Sequence, residues 1–162
     1  MNHVERVFIA VGSNIEPEQQ ITNGLTALAA LPKTRLGAES AWYRTRPWGV
    51  EAQAPFINLV VELWTELEPL ALLTALQAIE QQCGRVRTQL NGPRTLDLDV
   101  LLYGARIVDQ PSLRVPHPGL VVRDFMLIPL VEIAPEVIHP EYGRPVAALT
   151  DAICYWQISE RL

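Results

Sequence analysis

The amino-acid sequence predicts an α+β sandwich, with helices laid over a mainly antiparallel sheet. Three observations predict it. Apolar runs of strand length recur at residues 6–12, 35–43, 56–64 and 96–103. Between them fall two stretches with the three-to-four-residue apolar spacing of an amphipathic helix, after Pro17 and after Pro69. Strands and helices are interspersed without the strict alternation that builds a parallel sheet.

Taken in order, Arg6 to Gly12 is a β-rich run ending at Gly12-Ser13-Asn14, which reads as a turn. It resembles a phosphate-cradling loop only loosely, because neither a P-loop lysine nor a second glycine follows. Pro17 with Leu25, Leu28 and Leu31 predicts a helix that Pro32 closes. Arg35 to Tyr43 reads as a second strand, stopped by the turn-rich Thr45-Arg46-Pro47-Trp48-Gly49, and residues 45–56 read as a loop. Phe56 to Trp64 alternates as a third strand. Glu68-Pro69 then opens a helix through Leu70, Leu73, Leu76, Ile79 and Glu80, which Gly84 ends. Apolar periodicity disappears from Arg85 to Thr95, a second long loop, and returns in Leu96 to Tyr103 as a buried strand with a turn at Gly104. A short hairpin arm at 106–108, a proline-flanked turn at Val115-Pro-His-Pro118, a helix over 123–131 and a C-terminal helix over 147–153 complete a single domain of residues 1–162.

Bulk properties narrow the function classes. A chain of 162 residues, 49% apolar and 19% charged, builds a packed core and needs no staples. Cys83 and Cys154 show neither zinc spacing nor a disulfide framework. The net charge of −5 speaks against a nucleic-acid coat, which needs basic surface. No apolar run approaches the ~20 residues that span a bilayer. The start of the chain lacks the features of a secretory signal, so a soluble, cytoplasmic protein is expected, without membrane or nucleic-acid partners.

The chemistry concentrates around Asp97 and Asp99. Two apart in a strand, they point to one face with Cα atoms about 6.5–7 Å apart, while Leu96, Leu98 and Val100 face the other way. Two such carboxylates repel each other and are costly to desolvate unless a cation neutralises them. Magnesium, which takes hard oxygen ligands and keeps waters and phosphates in its shell, is the natural candidate. A pair of ions would both neutralise charge and align an in-line displacement. An exposed strand face or structural pairing with arginines also fits the aspartates alone. The preceding loop favours the metal: Arg85, Arg87 and Arg94 fall within ten residues that hold no acid, in a chain with only 13 basic residues. Guanidinium forks bind phosphate oxygens bidentately at any working pH. Gln77 and Glu80, three apart on the preceding helix, either touch a nucleotide or metal-bound water or form a solvent-facing stripe. His117, held between prolines, either donates to a phosphate or is structural. Taken by themselves, Phe56 and Phe125 read as ordinary core aromatics.

Taken together, Gly84-Arg-Val-Arg87, Gly92-Pro-Arg-Thr-Leu-Asp-Leu-Asp99 and Val115-Pro-His117 closely resemble the signatures of the 6-hydroxymethyl-7,8-dihydropterin pyrophosphokinases. The resemblance extends in order through Val11-Gly-Ser-Asn14, Tyr43-Arg-Thr45, Phe56-Ile-Asn58, Arg123-Asp-Phe125 and Glu132-Ile-Ala-Pro135, nearly the whole chain. It implies a ferredoxin-like fold and transfer of the β,γ-pyrophosphoryl unit of ATP to the pterin hydroxymethyl oxygen, releasing AMP, in folate biosynthesis. By position, it implies that Asp97 and Asp99 bind two magnesium ions and that Arg85, Arg94, His117 and Arg123 contact phosphates, with Arg87 a helper. Gln77, Glu80 and Val100 are then on the nucleotide side. Phe56 and Phe125 sandwich the pterin, and Asn58 with the main chain from Thr45 through Arg46 to Trp48 reads its polar edge. A monomer with ATP and hydroxymethyldihydropterin as its small-molecule partners is expected. The chain departs from the family pattern at Thr88-Gln-Leu-Asn91, which is short and lacks the lysine and tryptophan some members carry. Arg46 and Trp48 also replace smaller apolar residues. A non-catalytic sensor and a magnesium-dependent hydrolase are the competing readings. The hydrolase would leave Phe56, Asn58 and Phe125 without a job.

Overall fold

A computed structural model describes residues 3–47, 53–84 and 95–162. Its elements in chain order are β1 (Glu5–Ser13), α1 (Pro17–Ala29), β2 (Thr34–Glu39), β3 (Tyr43–Thr45), β4 (Phe56–Thr65), α2 (Pro69–Gln82) and β5 (Asp97–Tyr103). They are followed by β6 (Val108–Gln110), β7 (Leu113–Val115), α3 (Asp124–Ile133), β8 (Ile138–His139), β9 (Arg144–Pro145), a 3-10 helix (Val146–Ala152) and β10 (Ile158–Arg161). The main sheet runs β10-β3-β4-β1-β5, with β2 also pairing β4, and every pairing in it is antiparallel. Two interleaved strand–helix–strand crossovers, through α1 and α2, give the ferredoxin-like order expected from the sequence.

Both faces of the sheet are covered. On one, Val7, Ile9, Val11, Leu59, Val61, Leu98 and Val100 pack with Ile21 and Leu28 of α1 and Leu72, Leu76 and Ile79 of α2. On the other, Phe8, Ala10, Val60, Leu101 and Leu102 pack with Met126, Leu127 and Leu130 of α3 and with Val146 and Leu149. That double cover explains why β1 reads as a near-continuous apolar run rather than an alternating one.

The strand predicted over 35–43 is broken in two. Ser40 accepts the Val60 N–H through its hydroxyl at 2.9 Å and donates its own N–H to the Val60 carbonyl, so the chain bulges between β2 and β3. The C-terminal helix is a 3-10 turn followed by a strand, β10, that the sequence reading did not foresee. Gly12-Ser13 is strand, not turn. A Cβ at Gly12 would lie 2.4 Å from Asn58 Oδ1, so a larger residue there would displace the Asn58 amide.

Candidate active site

Sheet register assembles the site. Gly12 of β1 pairs with Asp97 of β5 on one side and Asn58 of β4 on the other, and Ala10 pairs with Asp99. Paired residues share a face, so Asn58, Gly12 and Asp97 form one row across three strands. Two strand spacings put the ends of that row roughly 9–10 Å apart, over a floor with no side chain at its centre. The row opens on the α3 side of the sheet, where a cavity is lined by Ala10, Gly12, Thr45, Arg46, Phe56, Asn58, Asp97, Asp99, Arg123, Phe125, Met126 and Gln157. Eight of the residues singled out from the sequence therefore converge on one cavity. Of the other four, Ala10, Met126 and Gln157 carried no sequence signal for a ligand, and Gly12 was read as a turn only loosely like a phosphate-cradling loop.

Asp97 is half-buried at the start of β5, and Asp99 is exposed. Behind them, the Glu80 carboxylate accepts the Leu98 N–H at 2.8 Å, gripping β5 between the two aspartates. Glu80 is only 8% exposed. Its carboxylate is turned inward to the β5 backbone, which does not fit a solvent-facing stripe. Gln77, one turn back, is exposed. Val100 is 5% exposed and packs in the core with α1 and α2, because strand alternation turns it away from the aspartates. Its side chain offers no surface to a nucleotide.

A bulge fixes His117 against β5. Phe8 pairs with Leu102 but Ile9 with Val100, which leaves Leu101 as the extra residue of β5. The Leu101 carbonyl accepts the His117 N–H at 2.9 Å. The preceding Val115–Pro116 peptide bond is cis. The imidazole Nδ1 accepts the Gly119 N–H at 2.9 Å, which leaves the proton of a neutral ring on Nε2. Burial first, and then the nearby Arg123 charge, push the imidazole down to about 4. It is a neutral N–H donor at working pH. Arg123 lies alongside: a Cβ at Gly119 would be 3.2 Å from Arg123 Cδ and 3.4 Å from His117 Cε1, so the bare glycine lets the two side chains meet. Arg123 also sits over the Phe125 ring, 6.0 Å from its centroid.

The pocket wall is tied down by polar contacts. Asn58 Nδ2 donates to Thr45 Oγ1 at 2.7 Å. Asn14 Nδ2 donates to Gln53 Oε1 and to the Ala54 carbonyl, fixing the approach to Phe56. The Arg46 guanidinium donates to the Trp156 carbonyl at 2.6 Å. α3, which carries Phe125, is anchored to β3 by the Tyr43 hydroxyl donating to Glu132, whose carboxylate also accepts the Ala41 N–H at 2.8 Å. Burial alone would raise the Glu132 carboxyl, but Tyr43, Ala41 and Arg161 hold it below its ordinary value. Arg85, Arg87, Arg94 and Trp48 lie outside the described residues.

The carboxylate pair and the Arg123 cation share one cavity with two phenyl rings, a set suited to a phosphate-bearing ligand beside a flat ring, and His117 lies next to Arg123. Residues 8–135 match the family model of 7,8-dihydro-6-hydroxymethylpterin-pyrophosphokinase (HPPK). The chain belongs to the HPPK family. It is 48% identical over 160 residues to the 2-amino-4-hydroxy-6-hydroxymethyldihydropteridine pyrophosphokinase of Pseudomonas aeruginosa, covering 98% of both chains. To the enzyme of the same name from Haemophilus influenzae it is 42% identical over 134 residues, 82% of this chain and 84% of that one. Its fold matches the HPPK-DHPS of Plasmodium falciparum with pteroate at a TM-score of 0.71 and 14% identity, over 93% of this chain and 42% of that one. This chain thus spans less than half of that longer protein, and the likeness speaks to fold alone. Among the described residues no helix is long and apolar enough to cross a membrane.

Proposed function

We propose that the chain transfers the pyrophosphoryl group of ATP to the hydroxymethyl oxygen of 6-hydroxymethyl-7,8-dihydropterin, giving AMP and the pterin diphosphate, in folate biosynthesis. The observation that carries this reading is the row Asn58–Gly12–Asp97. It sets a polar ring-reading amide and a phosphate-side carboxylate at opposite ends of a cavity with a bare glycine floor.

In the reaction the acceptor oxygen attacks the β-phosphorus, the bond from that phosphorus to the α–β bridging oxygen breaks, and AMP leaves. Transfer of this kind asks the protein to position groups and balance charge more than to supply a strong base. Phe56 and Phe125 bracket the pterin, and Asn58 fixes its rotation, since stacking alone leaves a flat ring free to turn. Arg123 and the Nε2 proton of His117 meet phosphate oxygens, one as a cation and one as a neutral donor that adds no second charge beside it. Arg85 and Arg94 complete the phosphate grip, with Arg87 as helper. Trp48 and the main chain near Thr45 border the pterin edge, and Gln77 lies towards the nucleotide.

Asp97 and Asp99 fit magnesium by donor chemistry: two hard carboxylates on one strand face, one half-buried and one exposed, with room left for water and phosphate ligands. Among the described residues no cluster of three or more metal-ligating side chains competes with them. Magnesium bound there, as two ions, supplies neutralisation of the triphosphate charge. Glu80 acts as a positioning residue that keeps the carboxylates in register. We place the protein in the cytoplasm as a monomer of one domain.

Incubation with ATP, magnesium and the pterin, with nucleotides separated by chromatography, tests the reading. Pterin-dependent AMP is expected. Pterin-independent release of ADP or phosphate would mean a hydrolase, and binding without turnover a sensor.

A further inference from the structure

Gln157 is accounted for neither by the transfer chemistry nor by any sequence motif. It lies just before β10, is 8% exposed, and lines the cavity beside Asn58 and Phe125. Its Nε2 donates to the Arg46 carbonyl at 3.0 Å, its own carbonyl accepts the Arg46 N–H at 2.8 Å, and its N–H goes to Asp124 Oδ2 at 2.9 Å. These bonds fix which way the side-chain amide points. Exchanging its oxygen and nitrogen would set two carbonyl oxygens against each other. Oε1 is left buried with no hydrogen-bond partner among the described residues, a costly state unless a donor arrives.

We propose that Gln157 Oε1 accepts an N–H from the heterocycle bound in the cavity, which makes Gln157 a specificity-determining residue that reads the amino-bearing edge. The inference rests on the pterin reading above. Asn58 presents itself in the same way: its NH2 is engaged by Thr45 Oγ1, and its carbonyl oxygen lies over Gly12. The cavity therefore carries two side-chain amides whose nitrogens are occupied by the protein and whose oxygens are acceptors. An edge with an exocyclic amino group next to a ring N–H complements that pair, and an edge of acceptors does not. A second partnerless oxygen, Asp124 Oδ1, belongs to the same α3–β10 junction but does not line the cavity, so it does not compete for the ligand.

Calorimetric titration of wild type and Gln157→Leu with 6-hydroxymethylpterin and with its 2-desamino counterpart, each with magnesium and a non-hydrolysable ATP analogue present, tests this. The substitution is expected to weaken the amino ligand about tenfold and the desamino ligand less than twofold. Equal losses for both would reduce Gln157 to a brace for the Arg46 segment, and no loss for either would also overturn the proposal. If thermal melting shows that the leucine variant is unfolded, Gln157→Met, of matching length, is titrated instead. A wild-type chain that binds neither ligand overturns the pterin reading and this inference with it; normal wild-type binding with an unchanged variant overturns the inference alone.

Discussion

His117 shows how one residue is tuned by its surroundings. The Gly119 N–H on Nδ1 and the Arg123 charge both disfavour the imidazolium, and burial disfavours it most. The folded state therefore releases the proton at about 4, below the ordinary histidine value near 6.5. Between those two pH values the unfolded chain binds more protons than the folded one. Its contribution is thus complete above about pH 6.5 and lost as pH falls towards 4, by up to about 1.4 kcal/mol per unit. Urea unfolding across that window is expected to show a shallower loss in His117→Asn than in wild type. Parallel slopes would refute the buried neutral ring. At this scale the sequence revealed chemistry but not closeness. Asp97 and Asp99 announce themselves by spacing, whereas Gln157 and Gly12 matter because β10 and β4 bring other groups against them, which no local pattern encodes.

At the scale of elements, the decisive joint is α2 against β5. Glu80 falls four residues after Leu76 and next to Ile79, inside the apolar stripe that α2 turns to the sheet, while Gln77 lies outside it. That stripe is the signal that could have marked Glu80 as buried; pairing it with Gln77 by their three-residue spacing obscured it. Glu80→Leu leaves the Leu98 N–H unsatisfied in the core. Loss of about 1–3 kcal/mol of stability is expected by chemical denaturation, together with slower turnover as the aspartates lose their register. A variant as stable as wild type would remove Glu80 from its positioning role. The helices and long strands were legible because their apolar periodicity is strong. The break at Ser40 and the strand β10 were not, since one depends on a hydroxyl bonding across to Val60 and the other on an exposed, mostly polar segment finding an edge at β3.

For the whole molecule, the sheet is a partition. α1 and α2 complete a core on one face; α3 and the C-terminal segment cover the other and leave a cavity where β1, β4 and β5 come together. Function follows from which side chains alternate through to that second face. The aspartates reach it, while Leu98 and Val100 stay behind as core. If the aspartate pair holds triphosphate through divalent ions, calorimetric titration of a non-hydrolysable ATP analogue with and without magnesium reads it most directly. Wild type is expected to bind at least about tenfold more tightly with magnesium, and Asp97→Asn and Asp99→Asn to lose that dependence while melting close to wild type. Equal affinity with and without the metal, or wild-type behaviour in both variants, would contradict the account.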